Sequence, residues 1–533
     1  MLDFSRLEEL IQREMAAAIV PGLALAIVRG DEVVYARGFG VKEKGGTACP
    51  VTPETVFRIG SVTKPMTGTM ILRLVEAGIL DLDAPITDAV PWLTVGEPNV
   101  AAQITLRMLL SHTAGLPTLL HYTPSPGVNT LEDYARIVIP RLKLVVPPGT
   151  AYAYSNPGIN LAGYIAEAVT QTPYGDLMRE WVFEPLAMRH TTFDPLMAMT
   201  YPLSQSFVLD AKAQPYVKRP FIDNPAEYPC GFAMSTALDL ANFAQLHLNK
   251  GSFKGEQILR PATIDAMHAP HAPLMTPDER AYGLTVRTRT YKGVRLVGHN
   301  GGIAKYGAVW LLAPDEQIGV VMLFNRAPGF WGAADAISSH VLDRLLDLSE
   351  SVPLTPIVAP DRSPWRAYEG SYLGSGAGLA VIAAADDCLM LTLNGEAIPL
   401  DRVSGDCYSG RKPGGGSVSV GFLPGAADQT KYLMMDGMLC ARFDQATAPD
   451  VGTWAEHAGI YRGDIDIWTL RFADGQLLIY SDDERTEVPC IPLDEHRFAC
   501  AFGLFEFACD ANGRAVALRG GGGEWRFQRV NVP

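Results

Sequence analysis

Trp365, Gly370 and Tyr372 return as Trp454, Gly459 and Tyr461 at one constant offset (454 − 365 = 459 − 370 = 461 − 372 = 89). A period of that length, kept in order, marks a structural unit copied in tandem, and both copies must then take the same fold. Ile398-Pro399-Leu400 recurs as Ile491-Pro492-Leu493, and Ala441-Arg442-Phe443 is echoed by Trp525-Arg526-Phe527. Within each copy, short alternating apolar and polar runs are separated by Gly, Asp and Asn turns, the pattern of an all-β unit of about 85 residues. Ahead of the pair, Ser351 to Pro364 carries four prolines in fourteen residues, which deny the chain a helix or a central strand. The expected division is 1–350, a linker at 351–364, and β units at 365–445 and 446–533, the last two parted by the break from Asp444 to Thr453.

The first 350 residues differ in character, mixing strand pairs with long helical patterns. Gly22 to Val41 reads as two apolar runs around an Arg-Gly-Asp turn, hence a hairpin. Strands are expected again from Val294 to Phe324, with Gly307–Leu312 and Ile318–Phe324 joined by a Pro-Asp turn. Between them, Pro65 to Ala77 places Met66, Met70, Ile71, Leu74 and Val75 on one helical stripe that ends at Gly78. Strands from both ends enclosing a helical middle imply one sheet in which the two ends of this region meet.

A chain of 533 residues has room for about three domains, and 48% apolar against 19% charged residues excludes wholesale disorder. Lys and Arg number 44 against 58 Asp and Glu, a formal charge of −14. That field repels phosphate backbones and anionic lipid, so neither nucleic acid nor a membrane is expected as a partner. MLDFSRLEEL has no basic run leading into an apolar stretch, and no apolar segment approaches the roughly 18 residues that span a bilayer. The expected location is the cytoplasm. The eight cysteines are scattered without zinc-type spacing and read as free thiols.

No G-x-S-x-G elbow, H-E-x-x-H helix, P-loop or dinucleotide fingerprint occurs. No metal or cofactor is therefore expected. Ser61-Val62-Thr63-Lys64 does occur, where the run from Thr55 to Ile59 passes through Gly60 into a helix. Residues three apart share a helix face, so the Ser61 hydroxyl and the Lys64 amine can meet. A serine becomes a nucleophile when a neighbour takes its proton. About one S-x-x-K match arises by chance in a chain this long. A second, Ser409 to Lys412, precedes a glycine-rich turn of the first β unit and is read as non-catalytic.

Ser61-Val62-Thr63-Lys64, Tyr154-Ser155-Asn156 and His299-Asn300-Gly301 stand in the order and approximate spacing of the class C β-lactamase and penicillin-binding-protein superfamily, which this chain resembles over about residues 5–345. Leu109 to Leu116, Pro147 to Thr150 and Glu184 to Met188 match further stretches of the family. The resemblance implies an α/β (α+β) β-lactamase-like catalytic domain, an antiparallel sheet flanked by helices. It further implies that Ser61 attacks a carbonyl to form an acyl-enzyme and that Tyr154, beside Lys64, shuttles the proton. Asn156 is expected to bond the substrate amide and Lys64. The N–H groups of Ser61 and Gly302 are expected to form the oxyanion hole, and Gly301 to let substrate lie against the strand edge. His112 is expected to be structural.

His299 departs from penicillin-recognising members, which carry a Lys there to meet a substrate carboxylate. A mostly neutral imidazole attracts that anion less. H-x-G and two trailing β units resemble instead the three-domain D-stereospecific aminopeptidases, in which both units are antiparallel eight-stranded, lipocalin-like barrels. In that architecture a loop of the last barrel reaches the substrate amine. The corresponding turn here is Tyr480 to Thr486, with Asp482, Asp483 and Glu484 as candidate receptors for an ammonium group. The expectation is a serine hydrolase acting on a small-molecule amide or peptide with a free amino end. A short-chain carboxylesterase is the alternative, followed by a β-lactamase or D,D-peptidase and, last, a non-catalytic peptide-binding module. Self-association is left open, a homodimer among its forms.

Overall fold

The computed structural model describes the chain except residues 1–3, 44–48, 211, 349–357, 360, 375–377, 394, 414, 424–429, 444–450, 464–466, 474, 482–485, 501–502, 521–524 and 531–533. Of the expected linker, 351–357 and 360 thus lie outside the described residues.

The chain begins with the Ser5–Ala18 helix and the Gly22–Arg29/Glu32–Gly40 hairpin, which turns at Gly30 with φ +56°. These strands form one edge of an eight-stranded sheet that continues through Ile318–Phe324, Tyr306–Ala313, Val294–Ile303, Arg287–Tyr291, Ala281–Tyr282 and Ala272–Pro273. Every pairing is antiparallel; Gly22–Arg29 pairs directly with Ile318–Phe324, so the two ends of the region meet as expected. The unbroken apolar run of Gly22–Arg29 follows from burial on both faces. Ala24, Ala26 and Val28 face the helical middle. Leu23, Leu25 and Ile27 face the other way, onto Leu7, Ile11 and Met15 of the first helix and Ala334, Ile337 and Val341 of the Trp331–Leu345 helix. Among the described residues no helix is long and apolar enough to cross a membrane.

Behind this domain come two β units. The first is a closed eight-stranded barrel running from Gly370–Gly374 to Met438–Arg442. The repeated residues do the same work in both copies. Trp365 and Trp454 sit on short helical turns and drop into the two barrel cores. The fully buried Tyr372 and Tyr461 donate to the carbonyls four residues back, Tyr368 at 2.7 Å and His457 at 2.6 Å.

Two details differ from the sequence reading. Arg442 stands opposite Tyr372 and Arg529 opposite Tyr461, so the counterpart of Arg442 is Arg529 and not Arg526. Cross-strand register sets this equivalence, and the intervening turns differ in length between the copies. The second unit is also a nine-stranded sheet, because its fourth run is interrupted at Cys490 into Thr486–Pro489 and Ile491–Pro492. Pro489 and Pro492 lack the N–H that a two-sided ladder requires, and the barrel is left nearly closed. The equivalent Glu396–Ser404 strand of the first barrel is continuous and pairs on both sides.

The first barrel is seated against the preceding domain. Met434, with Leu423 and Leu439 beside it, packs into a cluster with Tyr152, Leu274 and Tyr282 that also touches Tyr154. Leu379 of the first barrel packs against Leu493 and Ala499 of the second. Met434 is 1% exposed, so Met434→Ala is expected to cost about 2–5 kcal/mol, read as a lower midpoint in urea denaturation.

Candidate active site

The Thr63–Glu76 helix is entered through a tight turn, Gly60–Val62, that presents Ser61 half-buried. Gly60 takes φ +52°, and a Cβ there would sit 2.7 Å from the Gly302 nitrogen. Thr63 locks the turn by donating from Oγ1 to the Gly60 carbonyl at 2.7 Å and accepting from Ala233 N at 3.2 Å. One helical turn on, the wholly buried Lys64 places Nζ 3.0 Å from Ser61 Oγ, 2.7 Å from Asn156 Oδ1 and 2.6 Å from the Cys230 carbonyl.

Tyr154 arrives on an extended segment just before the Asn156–Thr170 helix. Ser155 is that helix's N-cap, its Oγ accepting from Gly158 N at 3.0 Å while donating to the Pro117 carbonyl at 2.9 Å. This cap aims Tyr154 one way and Asn156 the other, so the Tyr154 hydroxyl donates to Ser61 Oγ at 2.8 Å. His112 supports the segment, accepting from Ser155 N at 3.1 Å and packing its ring 4.5 Å from that of Tyr154. The role is structural, as the motif suggested.

Across the cleft, the Val294–Ile303 strand runs past the serine turn. Gly301 is required there, because a Cβ would collide with the Ile59 carbonyl and approach Ser61 N and Val62 N at 2.9 Å each. Gly302 next to it is exposed. The buried His299 donates from Nδ1 to the Asn300 carbonyl at 2.6 Å, leaving Nε2 to accept from the Tyr282 hydroxyl at 3.0 Å. Burial, then the nearby Arg287 and Lys64, hold His299 well below the usual imidazole range. It faces the site as a neutral ring with both nitrogens engaged.

Ser61, Lys64, Tyr154, Asn156, His299, Gly301 and Gly302 are therefore gathered around one cleft. Asp482, Asp483 and Glu484 lie outside the described residues. Two neighbours escaped the sequence reading. Arg287 is exposed, its guanidinium carbon 5.9 Å from the Tyr154 ring centroid; it stands in Arg-Thr-Arg-Thr-Tyr, an alternating strand that reads as solvated surface. Trp331 is 36% exposed, and its ring carbon Cζ2 lies 3.4 Å from where a Gly302 Cβ would be; at a helix start it carries no motif. A serine hydroxyl met by an amine and a phenol, beside a strand edge with two glycines, can be deprotonated, attack a carbonyl and have the resulting oxyanion held by main-chain N–H groups.

A Beta-lactamase family model matches residues 7–341. The chain is 28% identical over 365 residues to the unguisins hydrolase of Aspergillus campestris, covering 64% of this chain and 65% of that one. It is 27% identical over 352 residues to penicillin-binding protein 4 of Amycolatopsis lactamdurans, covering 65% and 90%. The fold resembles that of SurE solved with D-Leu, at TM-score 0.62 and 22% identity, over 82% of this chain and 99% of that one.

Gly301→Ala is expected to lower Ser61-dependent turnover by at least about 10²-fold through loss of the strand's approach to the serine turn, measured as kcat/KM. Acid is expected to destabilise the fold early. Burial holds His112, His247 and His299 well below 6.5 and His268 at about 3. In the unfolded chain each binds a proton near pH 6.5, so the stability they contribute is full above that pH and drains below it. The loss is about 1.4 kcal/mol per histidine for the first unit, read from urea midpoints at pH 7.5 and 5.5.

Proposed function

The chain belongs to the Beta-lactamase family of serine hydrolases, and from that premise we propose that it cleaves amide bonds of short peptides with a free amino end, in the manner of a D-aminopeptidase, through an acyl-enzyme on Ser61. The observation that carries this is the position of Ser61 Oγ, 3.0 Å from Lys64 Nζ and 2.8 Å from the Tyr154 hydroxyl. Ser61 Oγ attacks the scissile carbonyl while its proton passes to Tyr154, which serves as base in its phenolate form. The oxyanion is received by the N–H groups of Ser61 and Gly302, and Tyr154 delivers the proton to the departing amine. Water then enters by the same route in reverse and releases the acyl group. Asn156 holds Lys64 through Oδ1 and has its amide NH₂ for the substrate carbonyl.

Arg287 refines the substrate. It stands over the ring of Tyr154, the residue that hands a proton to the leaving amine in this reading, and favours a leaving amino acid with a free carboxylate. The neutral His299 does not supply that charge. A dipeptide-like substrate satisfies both demands, with its amino end on the acyl side and its carboxylate toward Arg287. The SurE fold neighbour solved with D-Leu supports a D-residue. All eight cysteines are unpaired, which supports a reducing, cytoplasmic location.

Wild type, Ser61→Ala and Arg287→Gln are to be assayed on D- and L-alanine p-nitroanilides, D-alanyl dipeptides, p-nitrophenyl butyrate and nitrocefin, with a chelator throughout. Ser61→Ala is expected to lose about 10³-fold or more in kcat. Arg287→Gln is expected to raise KM for the dipeptide about tenfold while sparing the anilide. Ser61-dependent turnover of the ester alone would replace this reading with an esterase.

A further inference from the structure

The first barrel meets the preceding domain through the outside of one hairpin, Tyr432–Met435 and Met438–Arg442. Side chains alternate along a strand. Leu433, Met435 and Cys440 therefore fill the barrel core, while Met434 and Leu439, register partners across the hairpin, point outward. An apolar outer face of this kind is stable in water when something covers it. Here the cover is the two segments that carry the tyrosines of the cleft.

The first segment is the extended stretch leading to Tyr154. Ala151 and Ala153 pack against Leu423, Tyr432 and Leu439, and Tyr152 and Tyr154 join the cluster around Met434. The second is the edge of the eight-stranded sheet. Its last two strands, Ala281–Tyr282 and Ala272–Pro273, have two residues each, too few to hold their place by pairing alone. The barrel holds this edge from outside. Cys407 Sγ donates to the Met275 carbonyl at 3.3 Å. A Cβ on Gly421 would collide with the Met275 side chain, and one on Gly437 would stand 2.8 Å from Leu274 Cδ2. Met275 itself takes φ +54°, which a residue with a Cβ disfavours and keeps where its surroundings enforce it. Through this edge the barrel reaches Tyr282, whose hydroxyl donates to His299 Nε2 at 3.0 Å.

Tyr154 and Tyr282 thus come from different parts of the chain and lean on one support. We propose that Met434 and Leu439 are positioning residues for the reaction: from the first barrel they hold the Tyr154 hydroxyl on Ser61 and, through Tyr282, the ring of His299. The proposal rests on the assignment of Tyr154 as the proton carrier of the acyl-enzyme mechanism.

The test compares the full chain carrying Met434→Ala, Leu439→Ala, Met434→Leu or Leu391→Ala with wild type. Leu391 is wholly buried in the core of the same barrel, on the Leu389–Leu393 strand opposite the hairpin, so its truncation reports loss of barrel stability alone. The rate at which a fluorophosphonate phosphonylates Ser61 is measured below each melting transition, with Ser61→Ala as the blank. This probe needs the activated serine and not the natural substrate. For whichever substrate of the panel above turns over, kcat and KM are measured as well. Met434→Ala and Leu439→Ala are expected to slow phosphonylation and kcat about tenfold or more, because a small displacement of Tyr154 suffices, and to leave KM within about twofold. Met434→Leu, which conserves volume, is expected to recover the wild-type rate. Leu391→Ala is expected to lower the melting temperature and keep the rate. Leu439, half-buried on the barrel's outside, supplies the reading if Met434→Ala fails to fold. Wild-type rates in both alanine variants of the hairpin, or equal slowing in Leu391→Ala, would overturn the proposal and leave the acyl-enzyme reading intact. Absence of Ser61-dependent labelling in wild type would overturn both.

Discussion

The catalytic domain depends on how a wholly buried lysine amine finds acceptors. Lys64 Nζ reaches three, on Ser61, Asn156 and Cys230, and each belongs to a different segment. Leaving any of them out strands a polar group in an apolar core. Each segment is therefore braced in turn. The Cys230 turn is held by Asn160, which accepts from Cys230 N at 3.1 Å and donates to Glu227 at 2.8 Å. Glu227, fully buried, also accepts from the His121 main chain at 3.0 Å. The geometry around Ser61 is thus the end of a chain of satisfied polar groups reaching well outside the cleft.

A second support is aromatic. His112, Tyr152, Tyr154 and Tyr282 pack ring against ring, and the first barrel closes over this cluster through Met434. Burial keeps Tyr282 protonated by pushing its hydroxyl well up, so it remains the donor that orients His299. The duplicated units are in this way tied to the site: one barrel braces the tyrosine side of the cleft, and the other packs on the first. The two copies keep one core while their outer surfaces do different work.

Much of the site was legible because its motifs are local. Ser61 and Lys64 share a helix face by spacing alone, and Tyr154-Ser155-Asn156 carries its own N-cap. The hairpin at Gly30 and the Thr63–Glu76 helix were readable from periodicity for the same reason. Arg287 and Trp331 were not. One sits on an alternating strand and the other at a helix start, and each acquires meaning only from what the sheet brings beside it.

The sequence by itself determined the tandem copying of the β unit, the hairpin at Gly30 and the shared helix face of Ser61 and Lys64, because these rest on spacing along the chain. Tertiary structure decided which residues oppose one another across strands, as in the pairing of Arg529 with Tyr461, and where the second barrel's ladder breaks. It also decided which charges face the cleft. Those depend on contacts between residues a hundred or more positions apart, whose desolvation and packing are settled only when the whole domain closes.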